Sequence, residues 1–186
     1  MLVSVIVPHY NRHDLLLRCL NALRQQHFGD FEIVLVDDGS TDPTLSELQP
    51  LFSVWPRLRR LVFSDNRGRA AARNAGLALA RGELVIFLDA DMDVGPDFVA
   101  EHWRFYVAQG AGWIGQGRII GTQDPAIRPM PSLWTDASCA RFATGNVSVA
   151  REILLRLGGF DEAFSGYGFE DLELGYRLMQ AGWRSA

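Results

Sequence analysis

Apolar runs of five or six residues alternate with helix-forming segments through the first half of this sequence, and that alternation limits the possible folds more than any other feature. We predict strands at four of these runs: Val3–Val7, Phe31–Val36, Leu58–Phe63 and Leu84–Leu88. The last run is continuously apolar, which is typical of strands buried on both faces of a parallel sheet. Because parallel strands need crossover connections, the sequence predicts an α/β fold with a mostly parallel sheet flanked by helices.

The segments between these runs carry helical patterns. Leu16, Leu20 and Leu23 recur at helical spacing, and Asn11 is the expected N-cap of that helix. Pro8 should end the first strand, because it has no N–H for a sheet ladder. Further helices are predicted at Thr44–Leu51, Gly68–Ala80, Asp97–Gln109, Arg151–Leu157 and Glu170–Ala181.

The length of 186 residues, 48% of them hydrophobic, is enough for one sizeable core. The second half is less regular than the first, with strands predicted at Gly112–Ile120 and Ala143–Val149. Thr122–Ser138 contains three prolines and is expected to be a mobile loop. No internal repeat or linker divides the chain, so we expect a single domain with a regular part (1–95) and an irregular part (96–186).

The charged residues remove several classes of function. The chain has 18 arginines and no lysine against 22 acidic residues, and the resulting net charge of −4 disfavours a nucleic-acid-binding protein. Without lysine there is no P-loop, Schiff-base or kinase-type chemistry. No apolar run approaches the roughly 18 residues of a membrane span, and no leader opens the chain. We therefore expect a cytoplasmic location, either free or at the inner face of the membrane through partners or missing segments.

Polar residues directly follow three of the predicted strands. These segments are Pro8-His9-Tyr10-Asn11, Asp37-Asp38-Gly39-Ser40 and Asp89-Ala90-Asp91. Ligands bind at the carboxyl ends of the strands in open α/β sheets, so these groups should meet in one crevice. Carboxylates that lie close together repel one another unless a cation or hydrogen-bond donors balance them. We therefore expect Mn²⁺ or Mg²⁺, which binds carboxylates such as Asp89 and Asp91 together with substrate phosphates.

Other uses of these acidic residues fit the sequence less well. A calcium loop of the EF-hand type beginning at Asp89 would need Gly and Glu where Val94 and Ala100 stand. A phosphatase with an aspartyl nucleophile is disfavoured by Asp93 and by the missing lysine. A nucleotidylyltransferase would need a glycine-rich loop and a lysine, and both are absent. A dinucleotide site is also disfavoured, because the glycine-rich turn after the first strand is missing.

Several motifs, in order along the chain, resemble the family 2 glycosyltransferases of the GT-A fold. They are Val3–Asn11, Val34–Asp42, Ala72–Gly76, Phe87–Asp91, Gly158–Glu162 and Gly168–Leu178. The last two are similar to the acceptor-side motif of that family, and Gly168–Leu178 especially resembles the version in bacterial chondroitin-type polymerases and polypeptide N-acetylgalactosaminyl transferases. The resemblance implies a GT-A type, Rossmann-like fold and one catalytic domain over 1–186. Within it, 1–95 would be the nucleotide-binding half and 96–186 the acceptor-side half.

The resemblance also implies a truncated C-terminus, since such proteins normally continue with another strand and often with a histidine that binds the metal. For the nucleotide-sugar donor, it implies that Pro8 and Tyr10 line the base pocket, Tyr10 by stacking, and that Asn11 also contacts the donor. Asp37 or Asp38 would accept a hydrogen bond from uracil, while the other would cap the turn.

Four further residues receive roles from the same resemblance. Asp89 would face the ribose or the sugar, and Asp91 would bind the metal that bridges the diphosphate, with Asp89 as a second candidate ligand. Arg73 would lie near the phosphates or Asp89; the alternative is a solvated helix face. Asn146 would contact the donor or the acceptor, or be a hydrogen-bonded turn residue without a role in binding.

The resemblance places catalysis at Glu170 and Asp171. Adjacent helical residues point about 100° apart, so only one of them can face the donor sugar, and the general base of the family corresponds to Asp171. It would deprotonate an acceptor hydroxyl, which attacks the anomeric carbon and inverts its configuration. The alternative is that both acids only stabilise the helix dipole.

Acceptor contacts are expected in two segments, Thr122–Phe142 and Gly166–Phe169, with Trp134 and Tyr167 as candidate aromatic platforms. The implied activity is transfer of a sugar from a nucleotide-diphosphate sugar, most simply a UDP-sugar, to a glycan or other hydroxyl acceptor. The competing function is a non-catalytic sugar-nucleotide-binding module or a scaffold part of a larger synthase.

Overall fold

A computed structural model describes residues 1–122, 142–164 and 168–186, and these form a mostly parallel sheet with helices on both faces. The strands are β1 (Val3–His9), β2 (Phe31–Asp37), β3 (Leu58–Val62), β4 (Leu84–Leu88), β5 (Trp113–Gln116), β6 (Asn146–Ala150) and β7 (Arg184–Ser185). The helices are α1 (His13–Arg24), α2 (Thr44–Val54), α3 (Arg69–Leu79), α4 (Phe98–Gln109), α5 (Arg151–Arg156) and α6 (Glu170–Gln180).

The strand order is β3-β2-β1-β4-β6-β5-β7, with β1 at the centre of the parallel part. β1 pairs in parallel with β2 and β4, and β2 pairs in parallel with β3. β6 is antiparallel to both β4 and β5. The predicted α/β fold is therefore confirmed, and the carboxyl ends of β1, β2 and β4 lie at one edge of the sheet.

Two predictions at the end of β1 are wrong. The strand does not stop before Pro8 but continues to His9, in register with Asp37. The His9 carbonyl accepts the Asp38 N–H on the β2 side of the strand, so the backbone of Pro8 faces β4. The pairing between β1 and β4 ends at Ile6, and no N–H is therefore required at Pro8. Asn11 is not the N-cap of α1, because Arg12 occupies that position.

The boundaries differ more in the second half. β5 covers only four residues of the predicted Gly112–Ile120 strand, and the two-residue β7 was not predicted. The proline-containing loop predicted at Thr122–Ser138 lies, apart from its first residue, outside the described residues. Within the described ranges, no helix is both long enough and apolar enough to cross a membrane.

The core is divided by the sheet into two apolar layers. One layer packs the sheet against α1, α2 and α4, and the other packs it against α3, α5 and α6. α3 approaches β1 closely at Gly76, where a Cβ would overlap the Ile6 side chain. A larger residue there would push α3 away from the sheet. Gly76 therefore sets the distance between the sheet and the turn of α3 that carries Arg73.

Candidate active site

A crevice of about 530 Å³ opens where β1, β2 and β4 end. Asp38, Asp89 and Asp91 line it together, although they come from two different strand ends. The remaining lining residues are Pro8, His9, Tyr10, Arg12, Asn66, Gly68, Arg69, Ala72, Arg73 and Ala90. Three acids and three arginines thus share one hollow at the edge of the sheet where the topology predicts a ligand site.

The neighbouring acids Asp37 and Asp38 have different surroundings. Asp37 is buried, and its Oδ1 accepts the Ser40 N–H at 2.7 Å, so it stabilises the turn. Asp38 accepts the N–H groups of Arg67 at 2.7 Å and Gly68 at 3.0 Å, and it lines the crevice. Burial raises the pKa of Asp38, although the two N–H donors oppose this effect. Of the pair, Asp38 is the one positioned to meet a ligand.

The loop that holds Asp38 depends on Gly39. This glycine has φ +76°, and a Cβ there would lie 2.5 Å from the Asp65 carbonyl carbon. The loop at 65–68 therefore packs directly on the turn after β2, which brings its two N–H groups to the Asp38 carboxylate.

Arg73 connects the two halves of the site. Its side chain is only 2% exposed, so it does not lie on a solvated helix face. Nη2 lies 3.0 Å from Asp89 Oδ1, and Nη1 lies 2.8 Å from Glu170 Oε1. The guanidinium also lies over the Phe160 ring, 5.6 Å from its centroid. A single arginine thus holds one crevice acid and the first residue of α6.

Asn74, which the sequence analysis missed as a site residue, fixes the next contact between the halves. Its Oδ1 accepts the Phe160 N–H at 2.8 Å, and its Nδ2 donates to the Phe160 carbonyl at 2.9 Å. Gly159 is required beside it, because its φ is +71° and a Cβ would overlap Asn74 Oδ1. The Ala72–Gly76 and Gly158–Glu162 motifs are therefore one packed unit, which only their spatial proximity reveals.

Asp91 is paired with Arg12, a second residue that the sequence analysis did not single out. Arg12 Nη1 lies 3.2 Å from Asp91 Oδ2, and the two side chains are 58% and 44% exposed. Arg12, Arg73 and the loop N–H groups therefore supply part of the positive charge and donors that the crevice acids require.

The residues at the crevice fit a divalent cation that is bound partly by the protein and partly by a phosphate-containing substrate. Among the described residues, no three His, Cys, Asp or Glu side chains converge as a ready metal cage. Mg²⁺ and related ions often bind through only one or two carboxylates and complete their shell with water and substrate phosphates. The partly exposed carboxylates of Asp91 and Asp89 match that pattern.

Glu170 and Asp171 begin α6 but differ in environment. Glu170 is buried, and its Oε1 pairs with Arg73, while Oε2 has no partner in the described part of the chain. Asp171 is partly exposed, and its Oδ1 accepts the Leu172 N–H at 2.8 Å. The preceding residue, Phe169, has φ +75°, an uncommon conformation for a residue with a side chain. Asp171 is thus the more exposed of the two acids, and neither of them lines the crevice.

The other predicted donor contacts divide into two groups. Pro8 and Tyr10 line the crevice, and Tyr10 is 44% exposed at its mouth. Asn11 instead has its side chain turned to the loop after β2, where Oδ1 accepts the N–H groups of Thr41 and Asp42. Asn146 does not line the crevice either: its amide is hydrogen-bonded to His102 and to the Arg118 carbonyl.

Some expectations fall on residues that are not described. Most of the Thr122–Phe142 acceptor segment, including Trp134 and Cys139, lies outside the described residues, as do Gly166 and Tyr167. The other cysteine, Cys19, is buried on α1, and burial raises its pKa to about 12. Cys19 is therefore a core residue, as its helical position predicts.

A mostly parallel α/β sheet flanked by helices matches the fold of GT-A glycosyltransferases of known structure. The chain belongs to glycosyl transferase family 2, whose family profile matches residues 4–173. This finding confirms the resemblance inferred from the motifs.

Among its relatives, the chain is 35% identical to a validoxylamine A glucosyltransferase of Streptomyces hygroscopicus subsp. limoneus, with 97% of the chain and 48% of that protein aligned. It is 31% identical to the hyaluronan synthase of Pasteurella multocida, over 97% of the chain and 23% of the synthase. It is 28% identical to the chondroitin synthase of Escherichia coli, over 97% and 32%. The chain spans about half the length of the glucosyltransferase relatives it matches.

Solved structures agree on the fold. Staphylococcus aureus TarS 1–349 in complex with UDP superposes with a TM-score of 0.82 at 23% identity, over 100% of this chain and 58% of TarS 1–349. The mannosyltransferase PcManGT from Pyrobaculum calidifontis, in complex with GDP-Man and Mn²⁺, gives a TM-score of 0.76 at 25% identity, over 98% and 53%.

Proposed function

We propose that this chain is the donor-binding, catalytic region of an inverting glycosyltransferase that moves a sugar from a UDP-sugar to an acceptor hydroxyl with the help of a divalent metal. The observation that carries the proposal is the shared crevice of Asp38, Asp89 and Asp91, joined through Arg73 to the helix that begins with Glu170 and Asp171. Family membership and the presence of a glucosyltransferase and two polysaccharide synthases among the relatives support it.

Donor binding uses the crevice side of β1 and β2. Tyr10 stacks on the nucleotide base, with Pro8 as the floor of the pocket. Asp38 accepts a hydrogen bond from N3–H of uracil, because its carboxylate can only accept while it is ionised. Asp37 and Asn11 act indirectly, since they hold the turn and the loop that frame this pocket.

The diphosphate and the sugar lie toward β4. Asp91, with Asp89 as a second ligand, would hold Mn²⁺ or Mg²⁺, which stabilises the negative charge of a departing diphosphate. The mannosyltransferase structure with GDP-Man and Mn²⁺ supports a metal in this role. Arg73 holds the Asp89 carboxylate in place through the hydrogen bond from Nη2 to Oδ1. Asn146 stays a candidate only through a movement that frees its amide from His102.

Asp171 acts as the general base. It removes a proton from the acceptor hydroxyl, whose oxygen forms a bond to the anomeric carbon as the bond from that carbon to the diphosphate breaks. Glu170 is buried and paired with Arg73, so it orients the start of α6 and does not act on the acceptor. Asp171 lies in the first turn of α6, next to the positive end of the helix dipole.

Release of UDP from a panel of UDP-sugars, with and without Mn²⁺, tests the proposal in wild type, Asp171→Asn and Glu173→Gln. Glu173 is a matched control, because it lies in the same turn of α6 but pairs with Arg177. We expect Asp171→Asn to lose about 10²–10⁴-fold in rate with unchanged UDP affinity, while Glu173→Gln stays near wild type. If Mn²⁺-dependent UDP binding occurs but no donor is turned over with any acceptor, the chain is a binding module instead.

A further inference from the structure

Arg12 stands at a position where arginine is unfavourable. It occupies the N-cap position of α1 without a capping side-chain hydrogen bond. Ser, Thr, Asp or Asn stabilises that position, and the positive end of the helix dipole repels a cation placed there. The side chain of the preceding Asn11 is bound to the loop at 41–42, which holds the backbone before Arg12 in place. A locally unfavourable residue at the mouth of a ligand crevice is a candidate for a functional role.

The contact that Arg12 makes is with Asp91, the acid assigned to the metal. Nη1 of Arg12 lies 3.2 Å from Asp91 Oδ2, across 79 residues of sequence. In the described part of the chain, the Arg12 guanidinium has no second hydrogen-bond partner. By contrast, Arg73 is buried and held between Asp89 and Glu170. The Arg12–Asp91 pair is exposed and has a single bond, so it can be exchanged at low cost.

The charges of the crevice indicate which partner could replace Asp91 as the hydrogen-bond acceptor of Arg12. The lining contains three carboxylates and three guanidinium groups. A donor brings a diphosphate, and a divalent cation at Asp91 brings a positive charge to the place that Arg12 occupies. A guanidinium presents paired N–H donors that match phosphate oxygens.

We infer that Arg12 neutralises Asp91 in the donor-free protein and exchanges this hydrogen bond for contacts with the donor diphosphate when a divalent cation is bound at Asp91. This inference rests on the proposed function. Arg12 thereby lowers the affinity of the protein for the bare cation and raises its affinity for the cation and nucleotide together, so metal and donor bind cooperatively. Arg12 is a positioning residue toward Asp91 and a binding residue toward the donor.

The test compares Arg12→Gln and Arg12→Lys with wild type, using Arg156→Gln as a matched control. Arg156 also forms an exposed ion pair, with Glu152 at 3.4 Å, but it lines a different cavity. Binding of Mn²⁺ alone is followed by electron paramagnetic resonance of the free ion. We expect Arg12→Gln to bind Mn²⁺ about two- to fivefold more tightly than wild type, because a competing cation has been removed. A purely structural role of Arg12 would not increase metal affinity.

Calorimetry of UDP binding at saturating Mn²⁺ gives the second readout. We expect Arg12→Gln to bind UDP about tenfold more weakly and Arg12→Lys to show a smaller loss, since lysine keeps the charge but not the paired donors. Equal Mn²⁺ affinities of Arg12→Gln and wild type, including no detectable binding by either, would overturn the inference, and so would an unchanged UDP affinity.

Asp91→Asn separates this failure from failure of the proposed function. If wild type binds UDP in a Mn²⁺-dependent manner that Asp91→Asn abolishes, while Arg12→Gln behaves like wild type, only the role of Arg12 is wrong. If wild type does not bind UDP, the proposed function itself is wrong.

Discussion

Arg73 Nη1 lies 2.8 Å from Glu170 Oε1, and this buried ion pair joins residues 97 positions apart in the sequence. It ties α3, which packs on β1 and β2, to the first residue of α6. Because the same guanidinium also binds Asp89, the crevice and the proposed base helix are held at a fixed distance from each other.

We predict that Arg73→Met destabilises the fold by about 3–5 kcal/mol, because it leaves the buried Glu170 carboxylate without its partner. The double variant Arg73→Met/Glu170→Leu should recover most of this loss while remaining inactive. Urea unfolding monitored by tryptophan fluorescence measures the stability of both variants. Equal stability of Arg73→Met and wild type would show that the ion pair does not hold the two helices together.

Tyr10→Ala should weaken UDP binding about tenfold, because it removes the aromatic surface on which the base stacks. Tyr10→Phe is the matched control and should bind UDP like wild type, since it keeps the ring. Isothermal titration with UDP at constant Mn²⁺ gives both affinities. A comparable loss in Tyr10→Phe would mean that the hydroxyl, not the ring, contacts the nucleotide.

Glu32 lies near the start of β2, at the end of the sheet opposite the crevice. Oε1 accepts from Ser4 Oγ at 2.8 Å and from the Arg81 N–H at 2.7 Å, and Oε2 pairs with Arg59 at 2.9 Å. Burial acts to raise the pKa of Glu32, but these bonds together hold it below its usual value. Glu32→Gln should therefore cost about 1–3 kcal/mol at pH 7.

The pH dependence of that cost checks its origin. Since the folded pKa is lowered, the stabilisation is complete above the unfolded value near 4.5 and is lost as the pH falls through the folded value. The difference in unfolding free energy between Glu32→Gln and wild type should shrink in acid. A constant difference from pH 7 to pH 3 would contradict this assignment.

The buried histidines His9 and His102 should make the fold sensitive to mild acid. Burial lowers the pKa of both below the ordinary value of about 6.5, so the unfolded chain takes up protons first. Stability should fall as the pH drops below 6.5, by at most about 1.4 kcal/mol per pH unit for each histidine. His102→Gln should flatten this slope while His9 keeps part of it. Thermal melts between pH 7.5 and 5.5 measure the slope, and an unchanged slope in His102→Gln would exclude His102 as a source.

The strands that frame the crevice could be predicted because they are buried on both faces. Such strands are mainly apolar, so β1, β2 and above all the continuously apolar β4 stand out in the sequence, and the acids after β2 and β4 lie at one edge of the sheet. The roles expected of those acids came from the family motifs. Strands and motifs can both be recognised because each is a pattern of neighbouring residues in the sequence.

The remaining parts of the site depend on contacts between distant segments. Arg73 lies in an Ala- and Arg-rich helix whose pattern also fits a solvated face, and only its contacts with Asp89 and Glu170 explain its burial. Asn11 fits an N-cap by residue type, but its amide binds the loop after β2 instead. Asn146 is oriented by His102, which comes from a different element. None of these pairings has a periodic signal.

Crystals grown with UDP and Mn²⁺ test the central claim most directly, through the anomalous signal of manganese. Our account places the manganese peak beside the Asp91 carboxylate, with the diphosphate of UDP next to it and uracil on Tyr10 near Asp38. A manganese peak and a nucleotide bound elsewhere, for example in the separate cavity lined by Phe98, His102 and Asn146, would contradict the account.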